Sequence, residues 1–146
     1  MKKLITICLL IATVFTVNAQ QMNFDETVKY INEKLLLQYN VKNSIVADKS
    51  GNIYVEAYNK KFNFYDLDTN SIHYDDAEKR ESGLELNSYG TGHNGEGRGY
   101  QITANIDKYN IALISHFDNQ KDAERVFSAL LHLKSLCTKT KDPFDK

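Results

Sequence analysis

The chain has 146 residues, of which 42% are hydrophobic and 25% charged, and its formal net charge at pH 7 is −1. This composition is ordinary for one globular domain and excludes a chain that is disordered throughout. The slight acidic excess argues against nucleic acid or an anionic membrane as a partner, because both attract concentrated positive charge.

Residues 1–19 predict a secretory signal peptide. Two lysines open the segment, an apolar run continues to Val17, and Ala19 stands at the −1 position of a cleavage site. Cleavage leaves Cys137 as the single cysteine, so no intramolecular disulfide is expected. We therefore expect an exported protein, periplasmic or extracellular, with one globular domain over residues 20–146 and no membrane insertion after cleavage.

The first element of the mature chain is predicted to be a helix from Asn23 to about Leu37. Asn23 and Glu26 occupy the two positions of a capping box, with Asn in place of Ser or Thr. The apolar residues of this segment recur at helical spacing: Phe24, Val28, Ile31 and Leu35. We expect this helix to bury one face against the core.

From Ser44 the hydrophobic period changes from 3.6 to 2, which predicts β-structure. Strands are predicted over residues 44–47, 53–58, 62–67 and 72–74. The alternation then disappears over residues 75–99, where charged residues give way to glycines, and we expect a long mobile loop in which Leu84 and Leu86 could add a short strand.

Two further strands are predicted over residues 101–106 and 111–117. The second is apolar on both faces apart from Ser115 and His116, which predicts a central strand under a helix. The strands are followed by the last predicted helix.

The strongest helical pattern extends from Asp118 to Cys137, with Asp118 or Asn119 as its N-cap, and a polar tail follows over residues 138–146. Its apolar stripe consists of Ala123, Val126, Phe127, Leu130, Leu133 and Cys137. His132 lies on the opposite face and is expected to point to solvent. The stripe is expected to close a β-sheet core.

This order of elements is similar to the pleckstrin-homology (PH) superfold. KFNFYDLDTNSI, which begins at Lys61, and AERVFSALLHLKSLC, which ends at Cys137, resemble small exported PH-like domains. The resemblance implies an α+β fold: an antiparallel β-sandwich or partly open barrel of about six or seven strands, closed by the C-terminal helix, with an extra N-terminal helix. PH domains that bind inositol phosphates have a strongly basic first hairpin loop. This chain has only Lys49 there, so no lipid-binding residue is carried over.

The glycine-rich stretch from Gly90 to Gly95 matches the letters G-x-G-x-x-G. A strand is predicted after it, whereas a dinucleotide site needs a helix, so no such site is expected. As an exposed loop it is a candidate for binding a partner, through His93, Asn94, Glu96 and Arg98. A second candidate recognition surface consists of Tyr54, Tyr58 and Tyr65.

Metal and catalytic motifs are weak. Asp66, Asp68 and Asn70 resemble the opening of a calcium loop that lacks its glycine, and they are at most weak metal candidates. His93 and Glu96 are the best zinc or acid–base pair, but no second ligand lies near either in sequence. No catalytic residue and no cofactor are predicted.

The sequence therefore predicts an exported, non-catalytic binding module for an unidentified protein or peptide, recognised through a strand edge or the glycine-rich loop. Two alternatives stay open. One is a small metal-dependent hydrolase that uses His93 and Glu96, and the other is a carrier of a small apolar ligand between sheet and helix.

Overall fold

A computed structural model describes residues 22–36, 43–70, 77–91 and 98–139. In this part of the chain a helix, seven strands and a second helix follow one another. They are α1 Phe24–Leu36, β1 Ile45–Ala47, β2 Asn52–Val55, β3 Lys60–Asn63, β4 Ala77–Glu81, β5 Leu84–Thr91, β6 Arg98–Asn105, β7 Ile111–Phe117 and α2 Gln120–Leu136. The predicted signal peptide, the predicted strand at 72–74 and residues 140–146 of the predicted tail lie outside the described residues.

The strands form two antiparallel sheets, with the orders β1-β2-β3 and β4-β5-β6-β7. The predicted α+β class is confirmed, and the described strands form no closed barrel. Strand β7 was predicted to be central but lies at an edge of its sheet. It also lies beside β3 of the other sheet, and the Asn43 side-chain amide donates to the Ile114 carbonyl (2.8 Å).

Helix α1 begins with the predicted capping box. The Glu26 amide donates to Asn23 Oδ1 (3.0 Å), and the Asn23 amide donates to Glu26 Oε2 (2.9 Å). The buried residues of α1 include Ile31 and Leu35. Between them Asn32 bonds both the amide (2.7 Å) and the carbonyl (3.0 Å) of Ile45, so α1 occupies part of the outer edge of β1.

The prediction of a loop over residues 75–99 is wrong for those residues of this range that the structure describes. Strands β4 and β5 and the start of β6 fall in this range. Four of the five residues of β4 are exposed and charged, as in many edge strands, so the segment shows no apolar alternation. It joins β5 through Ser82 and Gly83, both with positive φ (57° and 80°), as a two-residue hairpin turn requires.

Helix α2 packs its apolar stripe on the four-stranded sheet, as predicted. Asn119 is its N-cap, and the buried stripe comprises Ala123, Val126, Phe127, Leu130 and Leu133. These residues share one core with Leu84, Leu86, Ile102, Ala104, Ala112, Ile114 and Phe117 from the sheet. Cys137 caps the C-terminus half-buried, and burial raises the pKa of its thiol.

The two helices lie antiparallel. The end of α1 meets the start of α2, where Lys34 Nζ is 3.7 Å from Asp122 Oδ1, and the His132 ring Nε2 near the end of α2 is 2.9 Å from the Met22 carbonyl. The prediction that His132 points to solvent is therefore wrong, because the start of α1 covers that side of α2. Within the described residues, neither helix is long and apolar enough to cross a membrane.

The contacts of Asp122 predict a pH dependence of stability. The Asn119 side-chain amide donates to its carboxylate (2.8 Å), and this hydrogen bond, together with Lys34 and Arg125, lowers the pKa of Asp122 below its usual 3.8. A carboxylate with a lowered folded pKa contributes stability above the unfolded value, and that contribution is lost as the pH falls through the folded pKa. We expect Asp122→Asn to flatten the loss of thermal stability between about pH 5 and 2. If the melting temperatures of the two proteins fell equally between about pH 5 and 2, the pH dependence would not come from Asp122.

Candidate functional site

Of the predicted site residues that the structure describes, Tyr54 and Asp66 line one open pocket of about 460 Å³ on the three-stranded sheet, and the others are not part of its lining. His93, Asn94 and Glu96 lie outside the described residues. Arg98 begins β6, where its backbone is paired with Thr91 of β5. The loop and its proposed zinc pair therefore stay predictions.

The three predicted tyrosines have different surroundings. The Tyr65 hydroxyl donates to the Cys137 carbonyl (2.9 Å), which joins the end of β3 to the end of α2. Tyr54 lies on the outer face of the three-stranded sheet, with Lys61 Nζ 5.4 Å from the centre of its ring. Tyr58 is in the turn between β2 and β3, where burial and the neighbouring Tyr89 raise its pKa.

Asp66, Asp68 and Asn70 follow β3 in a turn. The Asn70 amide donates to Asp68 Oδ1 (2.8 Å), and the Asp68 amide donates to the Asn105 carbonyl (2.9 Å). The first bond is that of a side-chain-stabilised turn, and the second joins the turn to the end of β6. Within the described ranges, no three His, Cys, Asp or Glu side chains group as metal ligands would.

An open groove of about 620 Å³ lies over the outer face of α2. We call it the helical groove. The residues lining it are Met22, Thr27 and Tyr30 at the α1 side, Lys79 from β4, and Lys121, Glu124, Arg125, Ser128, Ala129 and His132 from α2. The six residues from α2 lie on one side of the helix, away from the core, because they recur at three- and four-residue spacing.

The charges of the helical groove are unequal. Lys79, Lys121 and Arg125 are cationic, whereas Glu124 is the one carboxylate among the described lining residues. Lys79 Nζ pairs with Glu124 Oε1 at 3.0 Å, while the Nη1 of Arg125 is 3.7 Å from Asp122 at the edge of the groove. The surface therefore keeps a positive excess in a chain whose net charge is negative.

The groove also offers apolar contact area. Tyr30 and Ala129 are half-buried in its walls, as is Met22, whose carbonyl contacts His132. A ligand of this surface can combine negative charge with at least one apolar side chain, because apolar burial and charge pairing are both available there.

A second unusual feature is a set of buried polar side chains on the four-stranded sheet. We call it the polar cluster: Glu85 and Asn87 of β5 with Thr103 and Asn105 of β6. Glu85 is directly opposite Thr103 in the register, and the neighbours Leu84 and Leu86 point into the core below α2. Strand alternation therefore places the cluster on the sheet face opposite α2.

The polar cluster is only partly satisfied by protein contacts. Arg80 Nε lies 2.9 Å from Glu85 Oε1, which also accepts from Asn105 Nδ2 (2.8 Å). Among the described residues, five buried atoms of the cluster have no hydrogen-bond partner: Glu85 Oε2, Asn87 Oδ1, Asn87 Nδ2, Thr103 Oγ1 and Asn105 Oδ1. A buried polar atom that finds no partner at all costs about 1–3 kcal/mol. Buried polar atoms of folded proteins are usually hydrogen-bonded, and ordered water is a common partner for them.

An aromatic group adjoins the cluster on the same face. Tyr89 follows Asn87 by two residues on β5, and its ring packs edge-on against His116, with 5.4 Å between ring centres. Gly99 lies directly opposite Tyr89, and a Cβ there would stand 2.4 Å from the tyrosine ring. The glycine therefore makes room for the ring to lie flat on β6.

Sequence patterns did not identify either surface. In LELN, from Leu84 to Asn87, the alternation of apolar and polar residues is typical of a strand with one wet face, and only the structure shows that both faces are buried. The sequence showed the polar face of α2, but it did not show that α1 and β4 flank this face and complete the helical groove.

Comparisons with models of protein families, with curated proteins and with solved structures found no significant match.

Proposed function

We propose that this chain is an exported, non-catalytic binding module that recognises an acidic segment of a protein or peptide in the helical groove. Export is supported by the signal-peptide pattern of residues 1–19. A PH-like fold is part of the proposal, supported by seven antiparallel strands in two sheets followed by a C-terminal helix.

The observation that carries this proposal is the positive excess of the helical groove. Lys79, Lys121 and Arg125 line it, and Glu124 is the one carboxylate among its described lining residues, although acidic residues outnumber basic ones in the chain as a whole. Opposite charge on a partner would steer its approach and fix its orientation. An acidic segment is therefore the complementary ligand.

The dimensions of the groove suit a short segment. The lining of α2 extends from Lys121 to His132, which is about 16 Å along the helix axis at 1.5 Å per residue. An extended peptide of about five residues covers this distance. Tyr30 and Ala129 provide a place for one apolar side chain beside the charges.

Selection of a displayed random-peptide library on the full chain tests the proposal. We expect enrichment of peptides rich in Asp and Glu with one large apolar residue, and an affinity that falls as salt is added. Lys121→Glu combined with Arg125→Glu should weaken binding of a selected peptide by on the order of tenfold, because two exposed ion pairs become repulsive contacts.

A matched variant distinguishes an effect of the groove residues on binding from an effect of the net charge of the chain. Lys60→Glu combined with Lys108→Glu changes the total charge equally at exposed sites of β3 and of the turn after β6. This variant should bind as the original chain does. Enrichment of basic or neutral peptides, or an equal loss in both double variants, would rule out the groove as the recognition surface.

A further inference from the structure

The open pocket on the outer face of the three-stranded sheet has a volume of about 460 Å³. We call it the sheet pocket. None of its described lining residues also lines the helical groove. A ligand of the sheet pocket would therefore occupy a different part of the surface from the acidic segment proposed above, and its binding does not depend on that proposed function.

The floor of the sheet pocket is apolar and aromatic. Val46, Tyr54 and Lys61 stand side by side on the three strands, because the register pairs Val46 with Tyr54 and Tyr54 with Lys61. Val46 is 56% exposed, so its methyl groups are available for contact. The Tyr54 ring is half-buried, and Lys61 Nζ is 5.4 Å from its centre. The floor therefore offers a ligand an apolar surface that includes an aromatic ring.

The polar rim of the pocket, at the turn between β1 and β2, is held in place by its own hydrogen bonds. Asp48 Oδ2 accepts from Asn52 Nδ2 (2.9 Å), and Asn63 Nδ2 donates to Asn52 Oδ1 (2.9 Å). Asp48 Oδ1 accepts from the backbone amides of Ser50 (2.8 Å) and Asn52 (3.2 Å). These bonds fix the side chains of the rim, so a ligand does not have to order them on binding.

The rim keeps both donors and acceptors for a ligand. Asp48 Oδ2 can accept a second hydrogen bond and Asn52 Nδ2 can donate one, because the bond between them uses only part of the capacity of each. Asp66 is exposed and adds a second carboxylate to the lining, and Lys61 Nζ adds charged donors. Groups that donate and accept at once match this mixture, and a hydroxyl group does so.

The charges of the lining favour a neutral ligand. An anion in the pocket would meet Asp48 and Asp66, whereas a further cation would stand near Lys61 Nζ, which already lies over the tyrosine ring. A neutral pyranose avoids both repulsions. Its C–H bonds make one face of the sugar ring apolar, its hydroxyls surround that ring, and the slightly positive C–H hydrogens suit the negative face of an aromatic ring.

We propose that the sheet pocket binds one pyranose unit of a neutral oligosaccharide. The apolar face of the sugar ring packs on Tyr54 and Val46, and the hydroxyls bond to Asp48, Asn52 and Asp66. The volume lies within the range of about 300–1,000 Å³ that is typical of small-molecule sites. Because the pocket is open, the rest of the oligosaccharide continues over the surface of the sheet.

The test is an NMR titration of the isotope-labelled full chain with neutral oligosaccharides of glucose, mannose, galactose, xylose or N-acetylglucosamine. We expect at least one of them to give saturable shifts of the Asn52 and Asn63 side-chain amide signals. Sorbitol has hydroxyls but no apolar ring face, and putrescine is a cation, so neither should give comparable shifts. Absence of saturation with every oligosaccharide up to about 10 mM, or an equal response to sorbitol or putrescine, would overturn the proposal.

Two variants tie the result to the sheet pocket. Tyr54→Ala removes the ring from the floor and should weaken binding of the selected oligosaccharide by about threefold to tenfold. Asp66→Asn keeps the shape of the side chain but removes its charge, and should weaken binding by about threefold, because hydrogen bonds to a charged acceptor are the stronger ones.

Tyr109→Ala is the matched control. Tyr109 is 82% exposed in the turn after β6 and does not line the sheet pocket, so its removal should leave the affinity unchanged. Unchanged affinity in a folded Asp66→Asn protein, or an equal loss in the Tyr109 variant, would exclude the sheet pocket even if Tyr54→Ala does not fold.

Discussion

Replacing Leu130 with alanine is expected to lower the free energy of unfolding by about 2–5 kcal/mol, the range seen when a large aliphatic side chain is removed from a packed core. Leu130 is fully buried at the centre of the α2 stripe, with Val126 and Phe127 before it and Leu133 after it. Truncation leaves a cavity between the helix and the four-stranded sheet, and rigid strands cannot collapse to fill it.

Urea unfolding followed by circular dichroism measures this loss. The matched control is Ser128→Ala, two residues away on the exposed side of the same helix, for which we expect a change within about 0.5 kcal/mol. If the two variants lost equal stability, the stripe would not be the contact that holds α2 on the sheet.

Replacing Gly83 with alanine is expected to destabilise the chain by about 2–5 kcal/mol, through two separate effects. Gly83 has a φ of +80°, a conformation that costs a residue with a Cβ about 1–2 kcal/mol. The new Cβ would also stand 2.4 Å from Leu67 Cβ, and relieving such an overlap in a packed region typically costs about 1–3 kcal/mol.

The position of Gly83 explains why the overlap is not easily relieved. Its carbonyl accepts from the Asn105 amide (2.9 Å), and the Asn105 carbonyl accepts from the Asp68 amide (2.9 Å). Leu67 is itself part of the core. The turn after β4, the end of β6 and the segment after β3 are thus held together at one corner.

Gly90→Ala is the matched control for this prediction. Gly90 is also a glycine of the four-stranded sheet, but a Cβ there would have no atom of the described residues within 4 Å, and its φ is not in the left-handed region. We expect the Gly90 variant to be as stable as the original chain or slightly more so, since alanine is less flexible when unfolded. Similar thermal-melt losses for both variants would contradict a special role for Gly83.

Local patterns predicted the elements whose signals are contained in a few neighbouring residues. Asn23 and Glu26 predicted the start of α1, and the spacing of Val126, Leu130 and Leu133 predicted the buried face of α2. Both signals depend on one helical turn, which is the scale on which capping and amphipathic burial act.

Strand β4 and the side of α2 around His132 were not predicted correctly, for a shared reason. The charged residues of β4 are tolerated because the strand lies at a sheet edge, and His132 is half-buried because the start of α1 reaches it. Both causes depend on residues that are distant in sequence, so the hydrophobic periodicity of the segment itself cannot predict them.

The α+β class, the two helices and the stripe that closes the core follow from hydrophobic periodicity, because each element must bury its own apolar face whatever lies opposite. The helical groove and the polar cluster follow from long-range packing. The helical groove exists because α1 and β4 flank α2, and the polar cluster is buried although its residues alternate with leucines as on a solvent-facing strand. Burial of a polar side chain is a property of the assembled layers, so the burial of Glu85 and Asn87 could not be predicted from their positions in the strand pattern.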